Sequence, residues 1–209
     1  MRVRQNRSMT PFPSGLRRRK EIGESDQNIT LNTILLLHRT VFQYAMPEVA
    51  GRFRKIGEDV EPLECVAPPP GRLVQEEACK FWREFDTRIS VIPRRVHKPT
   101  ATQRKPWFAQ VIDLAAWVQH GLVAVHPFCE GNGRVARLMT TLVLSRFGLP
   151  PSRVKLEGEH KSAPYLGALC QIDKAHDDAP LQHFIAQSVS EAFRKEAELR
   201  RRSAAKKQR

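Results

Sequence analysis

Apolar residues in this chain recur at every third or fourth position, and period-two alternation is scarce. That spacing gathers side chains on one stripe of a helix, not one face of a strand, so it predicts an all-α fold. Leu31, Ile34, Leu35 and Leu37 open the pattern over residues 29–44, with Pro47 beyond as a stop. Val74, Ala78, Phe81, Trp82 and Phe85 make one face over residues 73–89. A third helix is expected from Pro106, a residue suited to a first turn, to about residue 120. Its inward residues are Trp107, Val111, Leu114, Ala115 and Val118, and Trp117 is read as core too. A fourth runs over 134–147 and is stopped by Gly148-Leu149-Pro150-Pro151. Two more fit 160–175 and 180–202, the last behind the acidic opening Asp177-Asp178. Residues 90–105, rich in Pro and Lys/Arg, read as loop. Residues 51–71 break the period with glycines and prolines and read as a short β-hairpin or extended flap.

The 209 residues suffice for one domain with tails. The organisation expected is a basic N-terminal lead over 1–28, a folded domain over 29–190, and a basic helix end and tail over 191–209. Charge follows the same division. Of the net +13, residues 1–20 contribute +7 and residues 194–209 contribute +6, so the intervening 173 residues are neutral. Basic ends of this kind attract nucleic acid or other anions without specificity, or simply stay solvated. No helix-turn-helix, zinc or RNA-binding signature accompanies them.

No unbroken apolar run approaches the roughly 20 residues that span a bilayer. The four cysteines, Cys65, Cys79, Cys129 and Cys170, are far apart and include no CxxC pair, which excludes an obvious zinc site. Their spacing suggests a reducing compartment, and a cytoplasmic location is expected.

The chemistry is concentrated in twelve residues, His126-Pro127-Phe128-Cys129-Glu130-Gly131-Asn132-Gly133-Arg134-Val135-Ala136-Arg137. Gly131-Asn132-Gly133 precedes a helix start, where bare backbone N–H groups and the positive end of the helix dipole receive an anion. Arg134 and Arg137, three apart, share one face of the first turn and can hold further phosphate oxygens. Glu130 is a lone carboxylate beside that pocket, the usual protein share of a Mg²⁺ site completed by nucleotide phosphates. His126 stands where an imidazole can take a proton from an incoming hydroxyl. Each feature alone has a bland reading: a turn, a surface histidine, a solvated arginine pair. Their coincidence within twelve residues is hard to produce by packing alone.

This stretch resembles the signature of the Fic family, HxFx(D/E)GNGRxxR, at every specified position. Leu37-His38-Arg39 and Ala50-Gly51-Arg52-Phe53-Arg54 resemble the family's opening helix and the lead into its flap; Tyr165, Leu169, Asp173 and Pro180 onward resemble its closing helices. The resemblance implies a Fic-fold helical bundle with a small flap, and a protein adenylyltransferase. Such an enzyme moves AMP from ATP, with Mg²⁺, to a Ser, Thr or Tyr hydroxyl of a target protein. Carried over, His126 is the general base and Glu130 the metal ligand. Gly131, Asn132 and Gly133 form the anion hole, Arg134 meets the β- and γ-phosphates, Arg137 meets the γ-phosphate, and Phe128 anchors the loop. The flap would dock the target, and Tyr165 is either core or close to the nucleoside.

The family's inhibitory motif (S/T)xxxE(G/N) is absent from the sequence. Arg153 stands where Glu157-Gly158 would need a hydroxyl residue. Arg137 is therefore expected to be unguarded, or guarded by a separate antitoxin-like chain, as in a toxin or effector. Gly133 stands where a kinase branch resembling the phage Doc toxin carries Lys, which favours AMP transfer over phosphorylation. Another nucleotide donor, removal of AMP, and an idle fold that binds nucleic acid through its tails remain the alternatives.

Overall fold

A computed structural model describes residues 29–60, 65–94, 100–151 and 159–207. Within them lie six helices: α1 Leu31–Phe42, α2 Val74–Ser90, α3 Ala101–Val125, α4 Asn132–Arg146, α5 Glu159–Ala175 and α6 Ala179–Lys207, with a 3₁₀ turn at Gly71–Leu73 before α2. The all-α reading holds. The basic lead over 1–28 and the Arg153–Gly158 stretch lie outside the described residues.

α3 and α4 pair most extensively and form the centre. α2 and α6 pack on α3, α1 packs on α4, and α5 packs on α6. The core between them holds Val111, Leu114, Ala115, Val118 and Leu122 of α3 against Val135, Ala136, Met139, Leu142 and Val143 of α4, all buried. Burying a Val, Leu or Met side chain contributes roughly 1.5–3 kcal/mol each, so this seam sets the bundle's geometry. One polar pair crosses it: the Thr140 hydroxyl donates to Gln119 Oε1 at 2.7 Å. Trp82 is buried as expected, whereas Trp107 and Trp117 are half-buried at the core's margin. Trp117 is covered by Phe81 on one side and by the Arg88 guanidinium, 4.7 Å from its ring centre.

Two expectations are corrected at α3. The helix begins at Ala101, not Pro106, because Thr100 caps it: the Thr100 side chain accepts from Gln103 N, and Gln103 Oε1 accepts from Thr100 N. It also continues to Val125, past Gly121, whose missing Cβ lets the Phe81 ring close to 2.5 Å of where that atom would stand. The resulting span Thr102–Val125 is long and apolar enough, by length and composition, to cross a membrane, although no unbroken apolar run predicts it. Its mean hydropathy reaches 1.3 over an 18-residue window that tolerates Asp113, Gln119 and His120; half of that window is buried inside the bundle.

Among the described residues of the segment between α1 and the 3₁₀ turn there is no strand, so the expected β-hairpin does not form among them and the flap there is irregular. Side chains take the place of a ladder. Arg52 makes a bidentate pair with Glu58, both bonds 2.7 Å, and Glu58 Oε2 also accepts from Lys55 N. These bonds hold Glu58 in its charged form, with its pKa lowered to about 2, chiefly through Arg52. Asp59 Oδ1 accepts from Gly71 N at 2.6 Å and closes the loop on itself. Residues 61–64 lie outside the described set.

The cysteines also depart from expectation. Cys65 and Cys170 form a disulfide, with Cα atoms 5.2 Å apart and 105 residues between them in sequence. Wide spacing in sequence carries no information about a pair made by folding. Cys79 and Cys129 are free thiols.

Candidate functional site

The turn between α3 and α4 is built by three buried side chains. Asn132 is one: its Oδ1 accepts from Phe128 N at 2.9 Å and its Nδ2 donates to Phe128 O at 2.8 Å. The side chain is 3% exposed, so it closes the turn from inside. Phe128, fully buried, anchors that turn, as expected. His38 of α1 is the third. Its ring stacks on Phe128 with centroids 3.9 Å apart and planes 6° from parallel. His38 Nδ1 accepts from Gly51 N at 2.9 Å, which leaves the proton on Nε2 to donate to Glu130 O at 3.1 Å. Burial pushes the His38 pKa down, which favours this neutral form.

Gly131 caps α4 in the left-handed region at φ 78°. A Cβ there would overlap the Phe42 ring, so both the conformation and the close approach require glycine. The turn then releases the N–H groups of Asn132 and Gly133, the first residues of α4, which have no carbonyl one turn back within the helix. Glu130 Oε1 accepts from Gly131 N at 3.0 Å, which leaves Oε2 clear of that bond. Arg134 is exposed and lies 5.3 Å over the Phe42 ring, and Arg137 follows one turn later on the same face.

His126 ends α3, also in the left-handed region at φ 47°. Its Nδ1 lies 3.2 Å from Val123 O, a bond that places the proton on Nδ1 and the lone pair on Nε2. Burial lowers its pKa; the nearby Arg54 charge adds to that, and the Val123 bond and Glu130 oppose it.

A cleft of about 250 Å³ is lined by His126, Cys129, Glu130, Gly131, Asn132, Gly133, Arg134 and Arg137. Every site residue picked out in the sequence is therefore in one place. Tyr165 is not among them. It is buried, 6.0 Å from the Phe184 ring, and burial raises its pKa. That is the core alternative of the two. Cys129 lies at the rim, its thiol pKa raised first by burial and then by the Glu58 charge. Chemically, the cleft combines a neutral imidazole, one carboxylate, a helix N-terminus and two guanidiniums, which suits a polyphosphate approached by a hydroxyl.

Sequence reasoning assigned no role to His38 or Arg54, although both stand in the flanks noted above. Arg54 is 2% exposed and donates from Nε to His126 O at 2.7 Å. A polar residue on an otherwise apolar helix face is the only sequence mark of His38, and nothing local distinguishes Arg54 from its neighbour Arg52.

Known proteins agree with this geometry. The profile of the Fic/DOC family matches residues 28–144. A protein adenylyltransferase Fic from Nematostella vectensis is 32% identical over 68% of this chain and 29% of its own length. A uridine 5′-monophosphate transferase from Xanthomonas campestris is 32% identical over 69% of this chain and 26% of its own. The chain thus spans less than a third of the length of these relatives. The solved structure of Fic-1 from Caenorhabditis elegans superposes with a TM-score of 0.60 at 25% identity, covering 83% of this chain and 44% of that one. With the fold, the signature turn and more than half of the sequence in agreement, the chain belongs to the Fic/DOC family.

Proposed function

We propose that the protein is a nucleotidyltransferase that moves AMP from ATP to a Ser, Thr or Tyr hydroxyl of a target protein. The observation that carries this reading is the single cleft in which His126, Glu130, the α4 N-terminus, Arg134 and Arg137 meet. The adenylyltransferase named among the relatives supports the donor and the protein acceptor.

The chemistry follows from the site. A target hydroxyl approaching His126 gives its proton to Nε2, the nitrogen left basic by the Val123 bond. The hydroxyl oxygen bonds to the α-phosphorus as the α–β anhydride bond breaks, and pyrophosphate leaves. The N–H groups of Asn132 and Gly133 bear on the α- and β-phosphate oxygens, and Arg134 and Arg137 hold the outer phosphates. No cluster of three or more metal-ligating side chains exists among the described residues. Glu130 alone fits a Mg²⁺ that takes its other ligands from phosphates and water. When bound, that ion neutralises phosphate charge; Glu130, steadied through Gly131 N and His38, would be its protein ligand.

The uridylyl-transferring relative favours a second donor reading, UMP from UTP, at the same residues. Both are tested by incubating the protein with α-labelled ATP or UTP, Mg²⁺ and cell lysate, beside His126→Ala. We expect labelled protein with wild type only, ATP being the better donor, and nucleotide binding retained in the variant. Stronger labelling from UTP would make the enzyme a uridylyltransferase. Equal labelling by His126→Ala would remove the base assignment.

A further inference from the structure

The first two carbonyls of the catalytic turn, those of His126 and Pro127, are held by one residue outside the signature. Arg54 Nε donates to His126 O at 2.7 Å, and Arg54 N donates to Pro127 O at 2.9 Å. The rest of its guanidinium is spent on two more carbonyls, of Pro69 and of Glu58. Its side chain is wholly buried, while its nearest carboxylate, Asp59, is 3.8 Å away and mostly exposed. A buried cation bonded mainly to neutral carbonyls is a poor way to obtain stability, since an apolar side chain of equal volume avoids the desolvation. Placement of those carbonyls is what the arrangement does deliver. His126 O lies at the C-terminal end of α3, where orphan carbonyls and the negative end of the helix dipole favour a cation. His126 occupies the left-handed region without being glycine, a conformation that persists only where its surroundings impose it.

We infer that Arg54 is a positioning residue for His126, fixing the backbone of the catalytic turn so that the imidazole keeps its Nδ1–H on Val123 O and turns Nε2 into the cleft. This rests on the base role given to His126 above. Planarity explains the choice of arginine: a guanidinium directs several N–H groups to fixed points at once, whereas a lysine ammonium offers a single moving centre. Arg54 touches neither nucleotide nor target in this scheme, so its loss reaches the chemistry only through the turn. It also ties the loop after α1 and the Pro68–Pro70 bend to the catalytic turn, so that loop and the base share one clamp.

The experiment compares wild type, Arg54→Lys and Arg54→Met in the full chain. Thermal melting first establishes the folded fraction. Folded protein is then assayed for transfer, with kcat and the KM for ATP determined separately, and the His126 ring is observed by long-range ¹H–¹⁵N NMR. We expect kcat to fall about 10- to 100-fold in both variants, as misplacement of a reacting group does. The KM for ATP should change less than about twofold, because the phosphate-binding groups are untouched. The wild-type His126 should show one Nδ1–H tautomer, and both variants a mixture. A wild-type kcat and an unchanged tautomer in folded Arg54→Lys or Arg54→Met would overturn the inference. So would failure of both variants to fold, which makes the residue purely structural. If the wild type transfers no nucleotide, the proposed activity fails, and the tautomer comparison still decides the role of Arg54.

Discussion

At the residue scale, the proposed transfer requires a histidine kept neutral. Burial, helped by the Arg54 charge, lowers the His126 pKa from its ordinary value of 6.5. A base must be unprotonated, so transfer should persist below pH 6.5 and fall only as pH drops through the lowered value. A kcat/KM profile with its acid limb at or above pH 6.5 would contradict this. The same shift has a sign for stability. His38 and His126 both have lowered pKa values when folded, and the unfolded chain takes up protons first as pH falls. Stability is therefore full above about pH 6.5 and declines below it toward the folded values. Melting curves from pH 7.5 to 5 check this, with the decline expected to shrink in His38→Gln. His38 also shows how much one buried residue settles: accepting from Gly51 fixes its tautomer, and the tautomer fixes the donor aimed at Glu130 O.

At the scale of the element, the start of α4 lines the candidate cleft, and it is assembled from the inside. Asn132→Ala would strip partners from both backbone groups of Phe128, at a cost of about 2–4 kcal/mol. The expected result in urea unfolding is that loss of stability together with weaker ATP binding. A change under about 0.5 kcal/mol would mean the turn holds without it. Gly131→Ala should cost about 1–3 kcal/mol for its positive φ alone, before the overlap with Phe42 is relieved. The helix periodicities around this turn were legible because each amphipathic face repeats within a few residues. The true ends of α3 were less so. Its start depends on a Thr100–Gln103 capping box, and the Gly121 it runs through packs against Phe81, a residue forty positions earlier.

At the scale of the molecule, two long-range ties hold the loop after α1 against the bundle. Arg54 joins it to the catalytic turn, and the Cys65–Cys170 disulfide joins its far end to α5. A cross-link closing about 100 residues is worth about 2–4 kcal/mol. Dithiothreitol should therefore lower the melting temperature of the wild type, and Cys170→Ser should melt low and no longer respond to the reductant. An equal response in both would exclude the disulfide as its source. The same loop, expected as a hairpin or an extended flap, carries no strand among its described residues. Pro68, Pro69 and Pro70 lack N–H donors, and the Arg52–Glu58 pair and Asp59 satisfy the backbone groups that a ladder would have used.

What the sequence determined by itself was local: the helical class, from apolar spacing, and the identity of the cleft residues, because His126 to Arg137 are contiguous and any turn into α4 brings them together. What only the tertiary structure decided was every relation across distance. Arg54 reaching His126, His38 reaching Glu130, and Cys65 meeting Cys170 each join positions 72 to 105 residues apart. Such pairs arise from the way packed helices bring distant positions together, and packing against a distant partner leaves no period or spacing in the chain to be read.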